Sequence, residues 1–296
     1  MVTSLARRLG LAAAQAPSVH NTQPWRLTTP RGEFAELHAD WDRWLRISDP
    51  RGRSLHVSCG AALFNVRLSV RLARHKPLVW LLPSPDEEPE VLAAVRVAES
   101  GPPTEATLGL YQAIPVRRTN RQPFTARRIP PHVLAELRAA AAAEGASLLR
   151  PSQETLDFAA LAEDELALDA AYQAELATAA MPSYVHGPQA TGSPDPIRDF
   201  GHRTGDARFE TEPQLAVLAT PGDGPLDWLR AGQALQRVLL TATVHGISAS
   251  FLNQPLDLRD MRRRNDPPHR GGHPQMIMRL GYGPAVPRAP RRALDV

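Results

Sequence analysis

Apolar positions recur at helical spacing in the first residues of the chain, with Leu5, Leu9 and Ala12 or Ala13 on one face. That spacing predicts a helix over 3–15, capped by Thr3 or Ser4. The pattern then shortens to strand-like runs, 23–29 and 33–39, around the turn Pro30-Arg-Gly32. Residues 55–75 read as a strong helix, apolar almost all round at its start and arginine-rich towards its end, followed by strands at 77–82 and 92–98. Gly101, Pro102 and Pro103 mark a boundary. Beyond it the alternation predicts a helical turn from about Thr104, a Pro-capped helix over 131–144, a strand at 146–150 and one long helix over 153–180. The last segments read as a strand at 214–219, a helix at 226–245, a strand at 246–252, a short helix around 257–264 and a strand at 275–281. Residues 181–212 carry Pro and Gly without a period, which in a compact domain suits a lid or a linker.

Two predicted helices share a pattern. Gly60-Ala-Ala-Leu-Phe-Asn-Val-Arg-Leu68 and Gly232-Gln-Ala-Leu-Gln-Arg-Val-Leu-Leu240 place Gly, Ala, Leu, Val and Leu in the same register. A glycine inside a helix costs about 1 kcal/mol relative to alanine. Two helices bearing it at the same register point to a close helix–helix or helix–ligand approach in both halves, and to an internal duplication; chance likeness between two Ala/Leu-rich helices is the alternative.

Composition changes the picture mainly by exclusion. With 296 residues, 43% hydrophobic and 22% charged, the chain has the makings of one large or two small globular domains. Of its 34 basic residues only Lys76 is a lysine, a skew that with 29 prolines suits a GC-rich genome rather than a function. A net charge of +3, with acids scattered among the arginines, gives no basic face for nucleic acid. The single cysteine, Cys59, excludes an intramolecular disulfide and lies in an apolar stretch, as a buried thiol would. No apolar run approaches the roughly 20 residues of a membrane span. Arg7-Arg8 followed by Leu9–Ala14 imitates a secretion signal, but the apolar part is short and cleavage at Ala16 would sever the loop that follows, so a cytoplasmic protein is expected.

The candidate chemistry lies in four places. Ala16-Pro-Ser-Val-His-Asn-Thr-Gln-Pro-Trp25 crowds a hydroxyl, an imidazole and two carboxamides beside an apolar indole. This suits a flat, heteroatom-rich ligand; an ordinary turn capped by Ser18 and Asn21 is the plainer reading. Arg117-Arg-Thr-Asn-Arg121 gathers three guanidiniums and a hydroxyl between Pro115 and Pro123, donors suited to a phosphate or carboxylate, or to a solvated basic turn. Gly246-Ile-Ser-Ala-Ser-Phe-Leu-Asn-Gln-Pro255 follows the second glycine-bearing helix, and Gly281-Tyr-Gly-Pro-Ala-Val-Pro-Arg-Ala-Pro-Arg-Arg292 closes the chain. His269-Arg-Gly-Gly-His273 has a metal-like spacing, but Gly-Gly breaks the helix that would aim both rings and no metal is expected. No P-loop, no GxGxxG opening a helix and no GxSxG elbow occurs.

Taken in order, these stretches resemble the flavin-dependent nitroreductase superfamily, in particular its Acg-type branch: the "APSxHNxQPW" loop, the "RRSxR" element, the segment after the "GxxxxxxxxxAxxxGL" helix and the closing "GY…PRRPL". The resemblance implies an α+β, nitroreductase-like fold with antiparallel-dominated sheets flanked by helices, duplicated within one chain as a pseudo-dimer. Residues 1–103 would be the half that supplies the flavin-ring loop, and 104–296 the half that supplies the phosphate site, with a lid candidate at 181–212. It implies one FMN per chain, with NAD(P)H as a candidate electron donor and hydride transfer through flavin N5 to an unknown small-molecule acceptor. A lid-shielded FMN store with little turnover is the rival, with Tyr184, His186 and His202 the groups best able to reach inwards.

By the same resemblance Pro17, Ser18, His20, Asn21 and Gln23 would meet the ring and ribityl chain. Arg117, Arg118, Thr119 and Arg121, with Arg288 and Arg291 of the tail, would hold the phosphate, while Asn120 faces the ribityl chain or solvent. Leu252, Asn253 and Gln254 would lie at N5, where Gln254-Pro255 departs from the small residues usual in the family. Conventional members are homodimers; a chain carrying its own pseudo-dimer is expected to be monomeric, without nucleic-acid or membrane partners.

Overall fold

The computed structural model describes residues 2–31, 34–179, 210–262 and 272–292. Helix α1 (Val2–Ala13) leads through a short 3-10 turn at Val19–Asn21 to strands β1 (Trp25–Arg31) and β2 (Phe34–Ala39), then helix α2 (Arg53–Leu72) and strands β3 (His75–Leu81) and β4 (Val91–Glu99). Helix α3 (Glu105–Ala113) and the segment after it precede α4 (Pro131–Ala142), β5 (Ser147–Leu149), α5 (Gln153–Leu168) and α6 (Ala170–Ala179). Then come β6 (Gln214–Thr220), α7 (Pro225–Val244), β7 (Ser248–Phe251), α8 (Gln254–Arg262) and β8 (His273–Gly281).

The strands form two four-stranded sheets, ordered β1-β2-β4-β3 and β5-β6-β8-β7, and every strand pair in both is antiparallel. The two orders are the same pattern. In each sheet the long helix falls between the second and third strands, and both helices, α2 and α7, run for 20 residues. This repeated plan fits a duplicated arrangement, and the long helices are its meeting point.

Gly60 and Gly232 occupy the same position in their helices, and each is where the other helix's backbone arrives. A Cβ on Gly60 would lie 2.3 Å from the Leu229 carbonyl oxygen, and one on Gly232 would lie 2.1 Å from that of Val57. No side chain fits at such distances, so the shared glycine register is a packing requirement. The exchange extends to the cores: Val57 of α2 is buried among the apolar residues of the second sheet, and Leu229 of α7 among those of the first. Beside the crossing, the fully buried Asn65 accepts from Gln236 at 2.7 Å and donates to the Ala12 carbonyl at 2.8 Å, which satisfies both ends of its amide.

The predicted elements are present, with boundaries moved by a few residues, apart from one. The single helix expected over 153–180 is two, α5 and α6, broken at Asp169. There the backbone is extended, and the Asp169 carboxylate accepts from the amides of Ala171 and Tyr172, so an apparently helical acid acts instead as the cap of a new helix. The break lets Tyr172 and Leu176 turn onto α8 along with Ala162 and Leu166.

Candidate functional site

The loop 16–25 is held in an uncommon backbone conformation. His20, Asn21 and Gln23 all have positive φ (42°, 59° and 49°), a region that side chains beyond Gly enter at a cost. The surrounding chain fixes it. Ser58, one turn into α2, accepts from the Val19 amide at 3.1 Å, and the Ser18 hydroxyl accepts from the Gln23 amide at 3.0 Å. Arg43 donates to the Gln23 carbonyl at 2.8 Å. The rest of the clamp comes from the far end of the chain: Asn21 donates to the Pro290 carbonyl at 3.0 Å, Arg291 donates to the Asn21 side chain at 3.1 Å, and the Arg292 amide donates to the Gln23 side chain at 3.2 Å. Pro17, Ser18 and His20 remain half-buried at the loop's outer side. Cys59 beneath it is buried, its thiol 3.2 Å from the Pro24 carbonyl; burial pushes its pKa well up, so it stays protonated and inert.

The segment 117–121 docks on the edge of the second sheet. Thr119 bridges Ala249 in parallel, and the Asn120 amide donates to the Ala249 carbonyl at 2.8 Å. The Asn120 side chain, 1% exposed, donates to the Pro284 carbonyl at 2.8 Å and accepts from the Gln122 amide at 3.0 Å. Asn120 thus faces neither solvent nor an open cleft; it stitches the segment to the tail, a buried amide spending its donors on backbone. Arg117 is 5% exposed and reaches the Gln15 carbonyl at 3.2 Å, joining the segment to the first half just before the loop. Below, Arg279 of β8 stacks on Phe124 (3.9 Å to the ring centroid), donates to the Gln122 carbonyl, and pairs with Glu210 at 2.9 Å.

Arg118 and Arg121 are half-buried. Arg118 folds back onto the carbonyls of Pro115 and Arg117 at 2.7 and 2.8 Å. Partial burial and the adjacent charge of Arg288 hold its pKa below the usual arginine range.

The third expected piece is more constrained. The Leu252 amide is spent on the Ile277 carbonyl at 2.9 Å. The Asn253 side chain accepts from the Ile277 amide at 3.2 Å and approaches the Met276 sulfur at 3.6 Å. Both therefore serve the β7–α8 junction, and Gln254, half-buried at the first turn of α8, is the member of the three left with a side chain outside these bonds. Tyr184, His186 and His202, most of the lid candidate, and His269 lie outside the described residues. Among the described residues there is no group of three or more His, Cys, Asp or Glu placed to hold a metal ion, and no helix long and apolar enough to cross a membrane.

Sequence reasoning missed the second charged centre, which joins the halves below the loop. Arg53, the first residue of α2 and 0% exposed, pairs through Nε with Asp260, donates to the Gln275 carbonyl at 2.8 Å and lies 3.7 Å from Asp257. Arg51 pairs with Asp223 at 2.7 Å, and Arg259 with Asp260 at 3.2 Å. Tyr172 donates to Asp257 at 3.3 Å, and Asp49 accepts from the amides of Ser54 and Leu55. Burial raises Asp49 to about 7 and Asp257 to about 8, against the pull of Arg53. Arg53 itself is held above its usual range, because Asp260, Asp257 and Asp49 outweigh its own burial. The one signal in the sequence is the Asp257–Asp260 spacing on a helix, which aligns two acids on one face.

Comparison with known proteins shows the family. The family model for the Nitroreductase family matches residues 114–282, from the end of α3 to the end of β8. Beyond that span, the chain is 34% identical to "Putative NAD(P)H nitroreductase Rv3131" of Mycobacterium tuberculosis H37Rv, over 96% of this chain and 88% of that protein. It is 29% identical to "Putative NAD(P)H nitroreductase acg" of the same strain, over 96% and 92%. Among solved structures, a nitroreductase with bound FMN from Bacteroides fragilis aligns with 14% identity over 63% of this chain and 96% of that one, at a TM-score of 0.39. The family match over more than half the chain, and relatives that run nearly its full length, place this protein in the nitroreductase family, as a member of Acg type.

Proposed function

We propose that the protein is an FMN-dependent oxidoreductase that holds one FMN between its halves. The observation that carries this reading is the convergence of the strained loop 16–25, the 117–121 segment and the tail. The tail bonds directly to Asn21 and Gln23 and to Asn120 of the segment, and the charge of its Arg288 is felt at Arg118. The donor set fits the cofactor: guanidiniums for a phosphate at one end, a hydroxyl and an imidazole for a polar ring at the other.

In this reading Arg118, Arg121 and Arg288, with Thr119, hold the phosphate, and Arg117 and Arg291 brace it while tying the segment and the tail to the first half. Pro17, Ser18 and His20 line the ring and ribityl side, while the side-chain amides of Asn21 and Gln23, expected there too, are spent on the loop and the tail and hold that side in shape. Near N5 the contact falls to Gln254, since Leu252 and Asn253 are engaged with β8. Bound FMN would supply hydride transfer, with NAD(P)H as the donor. The chain's own residues orient the cofactor and neutralise its charge. The division at 103/104 then separates a half that presents the ring loop from one that presents the phosphate site. The crossing of α2 and α7 is the interface that separate subunits would otherwise form, so the protein is a monomer in solution.

The test is flavin retention. Arg118→Ala with Arg121→Ala removes two charge-assisted contacts worth about 1.5–3 kcal/mol each, so FMN affinity should fall by roughly two to four decades while the chain stays folded. Stoichiometric flavin in the purified double variant would refute the phosphate assignment. Anaerobic mixing with NADPH or NADH separates an oxidoreductase, whose flavin bleaches rapidly, from a flavin store, whose flavin does not.

A further inference from the structure

A cleft separate from the candidate cofactor site lies at the far edge of the second sheet. Strand β5 has three residues where its neighbour β6 has seven, and it pairs only with Val217–Ala219. Gln214, Leu215 and Ala216 are left without a strand on that side, because Arg150-Pro151 turns the chain away towards the Ser152 cap of α5. The gap is a cleft of about 450 Å³. Its floor is apolar, formed by Ile129, Leu134, Leu148, Ala216 and Leu280, and three arginines, Arg128, Arg138 and Arg150, line it above that floor.

The charge is unbalanced. Arg138 and Arg150 are exposed and make no hydrogen bond or ion pair with any of the described residues. Arg128 pairs with Glu212, and with side chains 61% and 72% exposed that pair is readily exchanged for another anion. No residue of this cleft belongs to loop 16–25, segment 117–121, residues 252–254 or the tail.

We propose that this cleft binds a medium-chain aliphatic carboxylate, its hydrocarbon on the Leu134–Leu148–Leu280 floor and its carboxylate between Arg138 and Arg150. The apolar floor asks for hydrocarbon and the rim asks for an anion, and only an amphipathic ligand answers both. The volume falls within the range of small-molecule sites, about 300–1,000 Å³. A nucleotide would set its polar base against a floor of aliphatic side chains.

Calorimetric titration of decanoate into the full-length protein, carrying whatever flavin it purifies with, tests this. The expected result is saturable one-to-one binding that Arg138→Ala with Arg150→Ala weakens about tenfold or more, without changing flavin content or melting temperature. Decanol, which lacks the charge, and acetate, which lacks the chain, should not saturate the site. Absence of saturable decanoate binding overturns the proposal, and so does binding that the arginine pair leaves unchanged. Sedimentation on the same samples addresses the other occupant: a dimer that the double variant dissolves would make the cleft a contact between copies of the chain and overturn it too. Flavin content is read separately, so loss of the cofactor reading would leave this one standing.

Discussion

The two halves share one plan and spend it differently. Both sheets have the same strand order, both place a 20-residue helix between the second and third strands, and the helices meet through glycines at equivalent positions. Ahead of its first strand, however, the first half has the clamped loop with three side chains at positive φ, whereas the second half turns from α4 to β5 on Gly145, the ordinary residue for φ +78°. Only two residues separate the first two strands of the first half, whereas α5 and α6 lie between those of the second. At the first position of its long helix α2 has buried Arg53, and α7 has Pro225, a residue that the first turn of a helix accepts without further partners. The repeat supplies scaffold, and the departures from it supply the candidate site and the charged lock.

The largest effect should come from that lock. Arg53→Met leaves Asp257 and Asp260 buried without their shared cation, and breaking such a pair costs about 3–5 kcal/mol. Pro225→Ala at the equivalent position should change little. Denaturant midpoints for the two variants check this, and similar losses would remove the asymmetry.

Next come the glycines. Gly60→Ala and Gly232→Ala each force a Cβ onto a backbone carbonyl, and each should cost about 1–3 kcal/mol by overpacking. Because both strain the same contact, their combined loss should fall short of the sum. Unequal single losses would show that the crossing is not symmetric.

The pH dependence is smaller and has a definite sign. Asp49 and Asp257 are raised to about 7 and about 8, so the folded chain holds protons that an unfolded chain, with carboxyls near 3.8, has already released. Stability should therefore fall as pH rises from about 4 through 8. Asp257→Asn should flatten the upper part of that decline, measured as melting temperature against pH; an unchanged slope would detach it from the lock.

Ser58→Ala, which frees the Val19 amide, should cost about 1 kcal/mol. Arg230→Ala, at the equivalent exposed position of α7, should fall within about 0.5 kcal/mol of the parent. Thermal denaturation of the pair tests whether the clamp belongs to the first half alone.

Much of this was legible in the sequence. Periodicity alone placed the strands and long helices, because apolar spacing directly records which face is buried. The glycine register marked a close approach, which the structure resolves as helix on helix, and the loop, the arginine segment and the tail stood out by composition. Asp169 was hidden in a helical pattern, since its capping role depends on backbone that only the packing of Tyr172 and Leu176 against α8 selects. Arg53 was one arginine among many, with nothing local to mark it as buried.

The chain by itself therefore determined its elements, their repetition and the chemical character of the candidate loop and arginines, since these depend on spacing and side-chain type within short stretches. Tertiary structure decided which groups remain available and which are consumed. Asn120, Asn253 and the Leu252 amide are taken by neighbours far off in sequence, Arg118 folds back onto local carbonyls, and four aspartates gather around three arginines across the two halves. Burial and hydrogen-bond satisfaction depend on everything that surrounds a group, and that is fixed only when the halves close on one another.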